Sequence, residues 1–68
     1  MTQKAKVKRL KYLSSMLSKY AHCWNENPSS RMYDWVDEYN DLRNTAAWFK
    51  YCEDNHLSPN HNAYDCMA

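Results

Sequence analysis

Apolar residues recur along the first third of the chain at Val7, Leu10, Leu13, Leu17, Ala21 and Trp24. Stepped at about 100° per residue they fall in one band, which predicts an amphipathic helix over about residues 3–24. The segment Asn25–Ser30 interrupts the pattern, with Pro28 disfavouring helix at Asn27 and suiting the first turn of a new one. Asn27, Ser29 and Ser30 are the candidate caps. A second band, Met32, Trp35, Tyr39, Leu42, Ala46 and Phe49, keeps the 3–4 alternation of a buried stripe and predicts a helix over about 29–54. Asn55 stands where a glycine often ends a helix, and Ser58-Pro59 reads as the cap and first turn of a short helix over about 59–66. The fold class expected is all-α: an antiparallel helical hairpin plus a short third helix, in a single small domain over 1–68.

The second helix carries more apolar surface than a hairpin needs. Tyr33, Ala47, Trp48 and Tyr51 lie opposite Trp35 and Leu42 on a continuous helix, and Tyr12, Met16 and Cys23 make a weaker second face on the first. Two coverings are open. The tail folds back and packs Leu57, Tyr64 and Met67 on Trp48 and Tyr51, or the face belongs to an intermolecular surface. The second option makes Tyr33, Trp48 and Tyr51, with Tyr12 and Met16 next, the partner-binding anchors, because Trp, Tyr and Met are enriched at interface cores.

Size sharpens this choice. A domain of about this length buries only about 60% of its unfolded surface, and apolar burial minus ordering entropy comes out near zero. With 68 residues, association with a second copy or another protein is therefore expected. The absence of glycine removes the phosphate-cradling loops that need it.

The formal net charge of +1 conceals a division. Lys4, Lys6, Lys8, Arg9, Lys11 and Lys19 give the first 25 residues +6 with no acid. Arg31, Arg43 and Lys50 against eight acids leave −5 on the remainder. Lys4, Lys8 and Lys11, or Asp37, Glu38 and Asp41, supply a charged rim to an interface, within the molecule or between copies. The alternative function is nucleic-acid binding, with Lys4, Lys8, Arg9 and Lys11 following phosphates, although no recognised nucleic-acid motif accompanies them.

Candidate chemistry is sparse. Cys52, His56, His61 and Cys66 are donors suited to zinc, but C-x3-H…H-x4-C matches no usual zinc pattern and no metal is expected. His22 and Cys23 are adjacent and point about 100° apart on a helix, so no nucleophile–base pair is expected there. Neither a cofactor, a small-molecule substrate nor enzymatic activity is expected. Three cysteines without a dense disulfide pattern suggest a reducing, cytoplasmic home, and no apolar run suits a signal peptide or a membrane span. In general character the chain resembles the small accessory proteins of phages and mobile elements, which implies binding to a host protein or to its own copies.

Overall fold

The computed structural model describes residues 2–68. Helix α1 spans Gln3–Lys19, α2 Ala21–Glu26, α3 Ser30–Leu42, α4 Ala46–Asn55 and α5 Ala63–Cys66, with no strand among the described residues. Thr2 caps α1, its hydroxyl accepting from the Ala5 N–H at 3.1 Å. Leu10, Leu13 and Leu17 are wholly buried and Val7 nearly so. Tyr20, after the last turn of α1, meets Trp35 in the middle of α3, and Arg9 meets Glu38 one turn further on, so α3 returns along α1 in the opposite sense. The all-α class agrees with the sequence. The course of the chain differs at four places.

Helix one does not run unbroken to Trp24. It is interrupted at Tyr20 (φ −105°, ψ 19°), whose ring packs 5.8 Å from that of Trp35. The bend sacrifices little, since the Tyr20 N–H still reaches the Met16 carbonyl and the Cys23 N–H the Tyr20 carbonyl, both at 3.0 Å. It delivers Trp24 to Tyr33 and Tyr64, at ring separations of 5.1 and 5.7 Å.

The larger departure lies in the second helix, which breaks at Arg43–Thr45 into α3 and α4. Asn44 and Thr45 are weak helix formers whose side chains compete for backbone groups. The Thr45 hydroxyl donates to the Leu42 carbonyl at 2.7 Å, and Thr45 becomes the extended N-cap residue of α4 (φ −121°, ψ 160°). The break re-aims everything after it. Ala47, Trp48, Tyr51 and Cys52, the rear of a continuous helix, are at most 4% exposed, whereas Phe49, assigned by spacing to the buried stripe, is 62% exposed. Trp48 and Tyr51 are thus core residues, which corrects their reading as partner anchors.

The tail closes over Trp48. Its indole N–H donates to the Pro59 carbonyl at 3.3 Å, and the Arg43 guanidinium lies 5.4 Å from its ring. His61 Nδ1 is 3.3 Å from the Tyr39 hydroxyl, and the Ala63 N–H donates to Asn40 Oδ1 at 3.3 Å. Leu57 and Met67 pack on the core as the fold-back reading expects, but Tyr64 lies on Trp24 and is half exposed. The third helix begins at Ala63 and not at Pro59. Asn62 takes the cap because it forms a reciprocal capping box with Asp65, with bonds of 3.3 and 3.0 Å, while Ser58–His61 make a turn.

Helix α4 ends on His56, not Asn55, in the left-handed conformation (φ 56°, ψ 41°). Leu57 N–H bonds to the Cys52 carbonyl at 2.8 Å and His56 N–H to that of Glu53 at 3.4 Å, the two bonds of a Schellman motif. Asn55 stays in the helix, its amide donating to the Tyr51 carbonyl at 2.8 Å.

Helix α1 contacts all four other helices, α4 and α3 most extensively, while α3 and α4 meet chiefly through the ring of Tyr39 against those of Trp48 and Tyr51. The accessible surface of 4639 Å² is close to the roughly 4500 Å² of a compact monomer of this size. No helix among the described residues is long and apolar enough to cross a membrane.

The break is tested by a pair of truncations. Trp48→Ala is expected to cost about 3–5 kcal/mol and Phe49→Ala within about 0.5 kcal/mol in denaturant unfolding; a continuous helix gives the reverse order. His56→Gly relieves the left-handed strain of a Cβ-bearing residue, and is expected to add about 1 kcal/mol, raising Tm by roughly 4–8 °C.

Candidate functional site

The exposed surface is organised by the two flanks of α1. On one, Arg9 turns toward α3 and makes a two-pronged pair with Glu38, Nε to Oε2 at 2.5 Å and Nη2 to Oε1 at 3.0 Å. The same guanidinium lies 4.9 Å from the Tyr12 ring. The hydrogen bonds from Arg9 hold the Glu38 carboxyl below the usual carboxylate range, and those to Glu38 raise Arg9 further. Arg9 is therefore occupied, which removes it from the basic set read from the sequence.

On the other flank, Lys4, Lys8 and Lys11 remain exposed at one-turn to two-turn spacing. Helix α4 brings Lys50 opposite them. Together with Gln3 and Val7 these residues line an open groove of about 670 Å³. Its walls are mainly apolar, and it is lined by four lysines and Val7; lysine stems cover apolar surface while their ammonium heads stay in water. Among the described residues no carboxylate lies within 4 Å of Lys4, Lys8 or Lys11, and Lys50 has only Asp54, at 3.9 Å. Lys50 was not singled out by the sequence, since only the break after Leu42 places it beside α1.

The acids show the complementary arrangement. Asp34, Asp37 and Asp41 are exposed on the outer side of α3, with no cation within 4 Å among the described residues. Among the described residues the +6 and −5 segments thus meet at one ion pair only, Arg9 with Glu38.

The remaining anchors read from the sequence are scattered. Tyr33 is 51% exposed beside Trp24, Tyr12 lies under Arg9, and Met16 lines a separate depression of about 540 Å³ with Tyr20, Cys23, Arg31 and Trp35. The structure does not gather Tyr12, Met16 and Tyr33 with Trp48 and Tyr51 into one face.

The potential metal donors are dispersed as well. Cys52 points its thiol at the Ser58 carbonyl and Cys66 at that of Asn62, each at 3.8 Å, and His61 meets Tyr39. No group of three metal-ligating side chains occurs among the described residues. All three cysteines are free thiols, and burial pushes the Cys52 thiol up. Burial likewise, with Cys66 and Tyr51 nearby, keeps the Tyr39 hydroxyl protonated far above the ordinary range. One local reading is corrected: His22 Nε2 lies 3.3 Å from Cys23 Sγ, because the imidazole is long enough to fold across its neighbour in the short α2. No further side chain orients that imidazole among the described residues.

The Arg9–Glu38 pair gives a pH signature. A depressed Glu38 pKa stabilises the fold above the unfolded carboxyl value of about 4.3 and loses that contribution as pH falls through the folded value. Both partners are more than a third exposed, so Glu38→Gln is expected to cost at most about 1 kcal/mol at pH 7. Urea melts at neutral pH and near pH 2.5 check it, the difference between the proteins disappearing in acid.

Compared with known proteins, the chain matches no family, no curated protein and no solved structure.

Proposed function

We propose that this is a non-enzymatic interaction protein that docks an acidic segment of another polypeptide in the groove between α1 and α4. The observation that carries the reading is the combination of a lysine rim with apolar walls. Ammonium groups select carboxylates and set the approach, while aliphatic walls reward an apolar side chain with desolvation. A helix or extended strand bearing acids around an apolar residue satisfies both.

Nucleic-acid binding is the second reading, favoured by the unpaired Lys4, Lys8 and Lys11 on one flank of α1. It draws less support, because a phosphodiester backbone gains nothing from apolar walls and Arg9 is engaged elsewhere.

The two separate in a titration. A labelled helical peptide with Glu at i, i+4 and i+7 beside one Tyr or Leu is expected to bind, as read by fluorescence anisotropy. Affinity should fall at least tenfold between about 0.1 and 1 M salt, as the screening length drops from about 10 to about 3 Å. Lys8→Glu/Lys11→Glu should abolish it and Phe49→Ala leave it unchanged. Absence of peptide binding at low salt, with a generic duplex bound instead, overturns the docking reading in favour of nucleic acid.

A further inference from the structure

We infer that the occupant of the groove is the outer face of α3 from a second copy of this chain, so that copies join head to tail. This rests on the docking reading above and names its partner. The donor face consists of Tyr33, Asp34, Asp37 and Asp41. At 100° per residue these four span about 100° of α3, on the side turned away from Met32, Val36 and Tyr39. All four are exposed, and Tyr33 adds a half-exposed ring at one end of the acidic row.

The two faces match in sign, length and polarity. Lys4 to Lys11 and Asp34 to Asp41 each cover seven residue steps, about 10 Å of helix. Laying α3 of one copy along α1 of another sets three carboxylates against three ammonium groups, with Lys50 as a fourth cation across the groove. The Tyr33 ring supplies the apolar group that the lysine stems and Val7 accept.

Charge accounting also favours a second copy. Among the described residues the oppositely charged segments are paired inside the molecule at one contact alone, Arg9 with Glu38, and that contact uses neither Lys4, Lys8 and Lys11 nor Asp34, Asp37 and Asp41. Both complementary faces are therefore open in every molecule. They are different surfaces, α3 lying on the Arg9 flank of α1 and the groove on the α4 flank. A contact between unlike faces is heterologous and propagates into rings or chains; it does not stop at a symmetric dimer.

A charge swap with the intact chain tests it. Sedimentation at low salt is expected to show the wild-type mass rising above the monomer as concentration increases, and returning to the monomer near about 1 M salt. Lys8→Glu/Lys11→Glu and Asp37→Lys/Asp41→Lys change exposed residues only, and circular dichroism is expected to remain that of the wild type. Each variant alone should be monomeric, because like charges face across the contact. Their equimolar mixture should re-form oligomers, since opposite charges are restored between unlike molecules. A wild type that stays monomeric to millimolar concentration, or a mixture that stays monomeric, overturns the inference. If the acidic peptide still binds in that case, the groove remains a docking site and only the second copy is excluded; if the peptide fails as well, both readings fall.

Discussion

Trp48 is the residue around which the molecule is arranged, and the constraint it imposes is angular. On a straight helix from Ser30 its indole faces away from α1. The chain meets this by giving up helical continuity over Arg43–Thr45, which brings Trp48, Tyr51 and Ala47 onto α1 and turns Phe49 to the surface. The cost is a few backbone hydrogen bonds, partly recovered by the Thr45 hydroxyl and by bonds from the Asn44 and Thr45 N–H groups to the Asp41 and Leu42 carbonyls. The gain is the burial of two large rings, worth several kcal/mol. The tail depends on the same event, because Pro59 and His61 have the Trp48 indole to pack on only once it points inward.

The surface follows from the core. Splitting the second helix places α3 and α4 on opposite flanks of α1, so that one flank ties Arg9 to Glu38 while the other opens a groove whose far wall carries Lys50. With one straight helix, charges on the two segments would face along a single seam and have more scope to cancel. The broken arrangement keeps them apart.

The sequence made the fold class legible and the first apolar stripe reliable: Val7, Leu10, Leu13 and Leu17 are buried as their spacing requires, and so are Met32, Trp35 and Tyr39. Beyond Leu42 the spacing argument fails because it assumes one helix axis. The signal of a break was present in the doubled stripe itself, since the surplus face of helix two gathers at Ala47, Trp48 and Tyr51, all after Asn44-Thr45, with Tyr33 alone before it. Without a glycine or proline to punctuate it, that doubling reads as an interface. The cap at Asn62 was legible from its spacing to Asp65, but Ser58-Pro59 competes for the role and only the packing of Ala63 decides. Of the site, the lysine row was readable from α1 alone; Lys50 and the loss of Arg9 to Glu38 are tertiary facts.

Helix α1 contacts every other helix, and this bears on biosynthesis. Leu10, Leu13 and Leu17 are polymerised before Tyr39 and Trp48, which they later pack with. Translation at about 5–20 residues per second leaves them waiting for on the order of a few seconds until Tyr39 and Trp48 have been made. During that interval the same segment carries all six of its positive charges and no acid. Like charge of that size opposes association of unfinished chains through their leucines, so the row that lines the groove also bears on the stage before the groove exists.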